Sequence, residues 1–244
     1  FGTLGAYRQH LQAYRPADLD KIPAEFRGPD DLWVGTNVHV MVMMVNERQL
    51  KGLPAPATWS DLMQPQWKNK FAITDPSKSG TAYMLVYGLY KQFGQAGLDK
   101  IAANAVVTAS SGTTYKGVAA GEYAVGMTLE YAAQEYVAGG QKEIKLVYPS
   151  EGSYLAPEGM FIIKGAKNLD AAKALYDGLL SKASQEAQLV KNFRRPTRTD
   201  VAVASLTTLP DLSTVKIFPV SQEAAATEYE AVVAAWNQAV AQAK

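Results

Sequence analysis

Two short segments of the chain combine hydroxyl side chains with small residues in a pattern that suits an anion. Ser79-Gly80-Thr81 follows a predicted strand and opens a predicted helix, and Ser110-Ser111-Gly112-Thr113-Thr114 repeats that arrangement. Free backbone N–H groups and the positive end of the helix dipole attract an anion at such a helix start, and the hydroxyls add donors. Ser and Thr are also ordinary N-cap and turn residues, so a structural role is the alternative. If neighbouring strands bring the segments together, we expect one phosphate or phosphonate group to bind there.

Two glutamates could bind the remainder of such a ligand. Glu130 ends a predicted strand, and Glu151 follows Tyr148-Pro149 at the expected crossover between two lobes. A carboxylate at a strand end can accept hydrogen bonds from sugar hydroxyls or from an ammonium group. The alternative for each is a surface carboxylate or an ion pair within the crossover.

Asn37 and Arg198 complete the set of predicted ligand contacts. Asn37 lies near His39 at the start of a buried strand, and His39 itself is expected to be a strand histidine with satisfied hydrogen bonds. Arg198 belongs to a cluster with Arg194 and Arg195, and a guanidinium group suits bidentate contact with carboxylate or phosphate. A solvated basic loop is the more common explanation of such a cluster.

Enzyme chemistry finds little support in these residues. The chain has two histidines and no cysteine, and it lacks the G-x-S-x-G, H-E-x-x-H and Walker motifs. Glu130 and Glu151 could serve a glycosidase only at a suitable separation, which the sequence does not give. We therefore expect no enzyme, no catalytic residue, no metal and no cofactor.

The composition of the chain limits the classes of partner that it is expected to bind. The 24 basic and 23 acidic side chains give a net charge of +1, which disfavours nucleic-acid binding. No apolar run reaches the length of a membrane span, so no membrane insertion is expected. Phe1-Gly2-Thr3 has neither a basic lead nor a cleavage site, and a secreted form would have lost its signal peptide.

Helical and strand patterns alternate along the chain, which predicts an α/β protein. The predicted strands cover 38–45, 70–74, 105–109, 123–129, 143–148 and 159–164, and the predicted helices cover 80–93, 114–120, 131–138, 169–180, 184–191 and 222–243. Residues 1–45 and 157–244 are expected to form one discontinuous lobe, and 46–156 the second. The strand at 38–45 is expected to lack partners, as if an N-terminal part of its lobe were missing.

Three groups of segments carry a resemblance to a known family. They are PATWSDL, PQWKNK and DPSKSGT (56–62, 65–70, 75–81), VAAGEYAVG (118–126), and VYPSEGS, PEG and KGAKN (147–153, 157–159, 164–168). In order and spacing they resemble the type II periplasmic solute-binding proteins of ABC importers. That family includes ferric-ion, thiamine, 2-aminoethylphosphonate, phosphoglycerate and sugar-phosphate binding proteins.

The resemblance implies a two-lobed periplasmic binding protein fold with a hinge of crossing strands that closes around the ligand. It implies a periplasmic monomer that delivers a small anionic solute to an ABC transporter permease. It also implies an additional N-terminal strand-helix segment that would supply part of the cleft. Ferric-ion binders of the family use two adjacent tyrosines near the position of Glu130, whereas this chain has Glu130-Tyr131.

We therefore predict capture of a phosphorylated or phosphonate solute. The alternatives are a periplasmic sensor that acts on a membrane histidine kinase, a ferric-ion binding protein, or a chain that lacks too much of its cleft to close on a ligand.

Overall fold

The computed structural model describes residues 7–243. Its strands are β1 (Leu11–Gln12), β2 (Val34–Asn46), β3 (Phe71–Thr74), β4 (Ala105–Thr108), β5 (Val125–Leu129), β6 (Ile144–Val147), β7 (Leu155–Met160), β8 (Ile162–Ile163) and β9 (Arg195–Pro196). Its α-helices are α1 (Gly80–Asn104), α2 (Ser111–Ala120), α3 (Glu130–Ala138), α4 (Leu169–Leu180), α5 (Lys182–Asn192), α6 (Val203–Leu206), α7 (Gln222–Thr227) and α8 (Tyr229–Gln242). The predicted α/β class is confirmed.

Three predicted elements differ from the structure. The strand expected at 159–164 is divided between β7 and β8, and the helix expected at 222–243 is interrupted at Glu228. Helix α1 does not end at Gly94 as predicted. Gly94 leaves the helical path with φ 65° and ψ −166°, and the helix then continues to Asn104. Glycine has no Cβ and accepts a positive φ easily, so the residue marks a break rather than an end.

The described chain forms two compact units. Unit 1 comprises 7–39 and 156–214, and unit 2 comprises 40–155 and 215–243. The sequence analysis grouped 157–244 with 1–45, so the division differs for the segment from 215 onwards. The physical reason is the apolar face of α8, where Val232, Trp236 and Ala239 are buried as the helix packs on α1 in unit 2.

The sheet of unit 2 has the strand order β4-β3-β5-β2-β6. Strand β3 is parallel to β4 and β5, whereas β2 is antiparallel to β5 and β6. The side chains from Met41 to Val45 are fully buried, as a continuous apolar run in a central strand requires. The expectation that the strand at 38–45 lacks partners is therefore wrong.

Unit 1 contains the first part of β2, which pairs antiparallel with β9 through Asn37 and Val38. The amide of Gln185 on α5 fixes β9 and the residues after it, because its Oε1 accepts from the backbone N–H groups of Thr197 at 3.0 Å and Arg198 at 3.2 Å. Thr197 Oγ1 donates in turn to the carbonyl of Gly35 at 2.8 Å. These bonds tie α5, β9 and β2 together within the unit.

None of the helices found between residues 7 and 243 combines the length and the apolar character needed to cross a bilayer.

Candidate functional site

The two hydroxyl-rich segments both begin helices, as predicted. Ser79 is the N-cap of α1, where its Oγ accepts from the backbone N–H of Ala82 at 3.3 Å. Ser110 is the N-cap of α2, and its Oγ accepts from the backbone N–H of Thr113 at 3.1 Å. Thr113 Oγ1 lies 2.9 Å from Ser110 Oγ, so its hydroxyl belongs to the same cap. Each cap leaves other N–H groups of the first turn available.

The structure brings these two helix starts together. Ser79 Oγ lies 3.1 Å from Ser111 Oγ. The cause is the parallel pairing of β3 with β4, in which Thr74 lies opposite Thr108, so the helices that follow these strands begin at the same edge of the sheet. The convergence expected from the sequence is present within unit 2.

A small pocket lies at this edge, and we call it the helix-start pocket. It is lined by Met41, Thr74, Thr81, Ala82, Leu85, Ser111, Met127, Thr128 and Leu129. Its volume of about 10 Å³ admits roughly one water-sized group. None of these lining residues carries a charge, so an anion here would be held by hydroxyl and backbone donors and by the helix dipoles. Gly80, at the start of α1, is exposed.

Thr128 is a lining residue that the sequence analysis missed. Its side chain is buried, and within residues 7–243 its Oγ1 has no hydrogen-bond partner. A buried hydroxyl without a partner costs about 1–3 kcal/mol, so a bound oxygen atom in the pocket would remove this cost. In the sequence, Thr128 stands near the end of the strand predicted at 123–129. In the structure, Phe71 pairs with Val125 in parallel register, which sets Thr128 level with Thr74 near the ends of their strands.

Three further threonine hydroxyls support the pocket. Thr114 Oγ1, in the first turns of α2, lies 2.8 Å from Thr74 Oγ1 and 2.7 Å from Thr108 Oγ1. Thr108 Oγ1 is also 3.3 Å from Thr74 Oγ1. This buried triangle fixes the start of α2, and with it Ser111, against the ends of β3 and β4.

The two predicted glutamates contact other residues of unit 2. Glu130 is buried, and its Oε1 accepts from the Tyr148 hydroxyl at 2.6 Å. Glu151 accepts from the backbone N–H of Ser60 at 3.1 Å and from the Ser60 hydroxyl. The bonds to Glu151 fix the turn that begins at Ser60, and the ligand contacts predicted for Glu130 and Glu151 stay predictions.

Arg198 lies in unit 1, inside a network of its own. Its side chain is 4% exposed, and it donates at 2.8 Å to both carboxylate oxygens of Asp200 and to Asp18 Oδ2. It also donates to the carbonyl of Leu180 at 3.0 Å. These bonds hold the guanidinium group within unit 1, and the predicted ligand contact of Arg198 stays a prediction.

Asn37 also lies in unit 1 and is buried. Its Nδ2 donates to Glu158 Oε2 at 2.7 Å. Arg194 reaches the same oxygen atom at 2.6 Å, and His39 Nε2 lies 3.5 Å from it. Hydrogen bonds from His39 and Asn37, together with the charges of His39 and Arg194, lower the pKa of Glu158 to about 2 although partial burial opposes this. The sequence analysis did not single out Glu158.

The chain as a whole matches known proteins. Residues 6–219 match the profile of the family described as bacterial extracellular solute-binding protein. The chain belongs to this family, whose members bind small solutes and work with ABC transporter permeases.

Particular relatives add detail. The periplasmic binding protein AfuA from Actinobacillus pleuropneumoniae, with exogenous fructose-6-phosphate bound, is 27% identical with a TM-score of 0.86 over 98% of this chain and 79% of that one. A Salmonella typhimurium protein provisionally named as 2-aminoethylphosphonate-binding is 33% identical over 64% of this chain, which spans 49% of that relative. Iron-bound HitA from Pseudomonas aeruginosa is 19% identical and shares the fold with a TM-score of 0.83. The superposition covers 98% of this chain and 78% of the HitA chain.

These matches confirm the predicted class. The chain has the two-lobed periplasmic binding protein fold. Its relatives include periplasmic proteins, one with fructose-6-phosphate bound and one provisionally named for 2-aminoethylphosphonate.

Proposed function

We propose that this chain captures a small phosphorylated or phosphonate solute in the periplasm, delivers it to an ABC transporter permease and catalyses no reaction. The observation that carries the proposal is the helix-start pocket, where two capped helices begin beside the unpartnered hydroxyl of Thr128. The solutes bound by AfuA and named for the Salmonella relative support the same ligand class.

The physical basis is the complementarity between a tetrahedral oxyanion and several neutral donors. Thr81, Ser111 and Thr128 line the pocket with hydroxyls, and Ser79 Oγ lies 3.1 Å from Ser111 Oγ. The first turns of α1 and α2 offer backbone N–H groups. A hydrogen bond to a charged group contributes about 1.5–3 kcal/mol, so a few such bonds support useful affinity. Because the pocket admits roughly one water-sized group, one oxygen atom of the anionic group would enter it and the rest of the anion would lie outside.

The proposal is tested by calorimetric titration of the chain with inorganic phosphate, fructose-6-phosphate and 2-aminoethylphosphonate. The double substitution Ser79→Ala and Thr81→Ala should weaken binding more than tenfold, because at least one hydrogen bond to the anion is lost. The matched control is Ser181→Ala, which removes the N-cap of α5 in unit 1.

Two results would contradict the proposal. One is the absence of binding of all three compounds to the unsubstituted chain. The other is a double variant whose dissociation constant equals that of the unsubstituted chain and that of Ser181→Ala.

A further inference from the structure

The strongest feature outside the helix-start pocket is an arrangement that we call the acceptor cluster: Asn37, His39, Glu158 and Arg194 of unit 1. Its geometry is asymmetric, since three nitrogen atoms gather on a single carboxylate oxygen, Glu158 Oε2, at 2.6, 2.7 and 3.5 Å. The Glu158 side chain is 49% exposed. Among residues 7–243, the structure shows no hydrogen bond to its other oxygen, Oε1.

The orientation of Asn37 in this cluster is fixed by chemistry. An ionised carboxylate can only accept hydrogen bonds, so the amide NH₂ must be the group that faces Glu158. The amide oxygen Oδ1 is then directed elsewhere, and it is buried without a donor among the described residues. A buried acceptor in this state costs about 1–3 kcal/mol. The cluster therefore contains one buried oxygen without a donor, Asn37 Oδ1, and one half-exposed oxygen, Glu158 Oε1, that the described residues leave without a hydrogen bond.

The backbone of Glu158 is held as firmly as its side chain. Thr36 Oγ1 donates to the carbonyl oxygen of Glu158 at 3.1 Å and accepts from Asn37 Nδ2 at 3.2 Å. These bonds fix β7 to β2 at this point, so the free Oε1 has a defined position. An ordinary surface pair differs, because an arginine commonly takes both carboxylate oxygens and the pair contributes little to stability.

We propose that Glu158 is a solute-binding residue whose Oε1 accepts a hydrogen bond from a hydroxyl or ammonium group of the solute. The inference rests on the proposed function in that it takes the chain to bind a small organic solute, and it adds the class of that solute: a polyol or an amine. Because its pKa is lowered to about 2, the carboxylate stays ionised and remains an acceptor throughout the physiological pH range.

The substitution Glu158→Gln tests this role sharply. The glutamine amide must direct its oxygen towards Asn37 Nδ2 and Arg194, since these groups donate. Its NH₂ then occupies the position of Oε1, so a donor replaces an acceptor at nearly constant volume. Glu158→Asp is the second variant, because it keeps the charge and withdraws the acceptor. The matched control is Asp20→Asn, which alters an exposed carboxylate of unit 1 paired with Lys21.

The experiment is calorimetric titration with fructose-6-phosphate, which carries hydroxyls, with 2-aminoethylphosphonate, which carries an ammonium group, and with methylphosphonate, which carries neither. We expect Glu158→Gln to lower affinity for fructose-6-phosphate or 2-aminoethylphosphonate at least tenfold, and the compound that loses affinity identifies the donor. Affinity for methylphosphonate should stay within twofold of its original value. Asp20→Asn should leave the binding of every compound unchanged.

The possible failures are distinguishable. If the unsubstituted chain binds none of the three compounds, the proposed function is wrong and the inference is wrong with it. If it binds fructose-6-phosphate or 2-aminoethylphosphonate and both Glu158 variants bind them equally well, only the role of Glu158 is overturned. An equal loss for methylphosphonate would also overturn it, because Glu158 would then support the fold and not bind the donor.

Discussion

The helix-start pocket of unit 2 and the acceptor cluster of unit 1 have opposite hydrogen-bonding character. The pocket offers neutral donors, namely hydroxyls and backbone N–H groups at the starts of α1 and α2. The cluster offers an ionised acceptor that is fixed by charged and amide side chains around Glu158. The two regions therefore differ in the chemistry of the group that each would bind: an oxyanion in the pocket, and a hydrogen-bond donor at the cluster.

The two regions also differ in how their polar groups are oriented. Local backbone geometry orients the pocket, because Ser79 and Ser110 cap the helices that they begin. Contacts between distant parts of the chain orient the cluster, since Asn37 and Glu158 are 121 residues apart. The following predictions challenge this comparison, from the largest expected effect to the smallest.

Arg198→Ala should produce the largest loss of stability. The substitution leaves Asp18, Asp200 and the carbonyl of Leu180 without their buried partner, and removal of one member of such a network costs about 3 kcal/mol. Urea denaturation measures this change in the free energy of unfolding. The folded variant should keep its affinity for fructose-6-phosphate or 2-aminoethylphosphonate within twofold. A stable variant that has lost binding would show that Arg198 contacts the ligand. The binding region of unit 1 would then include more than the acceptor cluster.

Thr128→Val should weaken binding of the anionic group about tenfold, since one hydrogen bond to a charged oxygen is lost. The same substitution should leave the free energy of unfolding unchanged or slightly higher, because the valine side chain has a similar shape and no hydroxyl to satisfy. Calorimetric titration and urea denaturation together measure both effects. Thr128→Ser, which keeps the hydroxyl, is the control. Equal affinity in the valine variant would remove Thr128 from the pocket's donors.

The smallest effect concerns the pH dependence of stability. The pKa of Glu158 in the folded chain is about 2, below the value of about 4.3 in an unfolded chain, so its ionised form stabilises the fold. This contribution is complete above the unfolded pKa and is lost as the pH falls towards 2. The difference in melting temperature between the unsubstituted chain and Glu158→Gln should therefore shrink between pH 4.5 and 2. A difference that does not change with pH would mean that the cluster does not stabilise the carboxylate.

The sequence alone determined the features that depend on neighbouring residues. The α/β class, the buried strand around Val40, and the two helix starts at Ser79 and Ser110 follow from apolar pattern, strand propensity and capping chemistry, which act over a few residues. The resemblance of 56–168 to solute-binding proteins was equally visible, and the family match confirms it.

Only the tertiary structure decided which polar side chains form hydrogen bonds with distant residues and which keep an acceptor atom without one. The carboxylate of Glu151 accepts from Ser60, which is far away in sequence, and Arg198 donates to Asp18. The ligand contacts predicted for Glu151 and Arg198 stay predictions. Glu158 lay in the PEG segment of the resemblance but was not predicted to bind a ligand. The fold gathers three nitrogen atoms on one of its oxygens, and among residues 7–243 the other receives no hydrogen bond. The physical reason is that a hydrogen bond depends on distances of about 3 Å between groups that the chain brings together only after it folds.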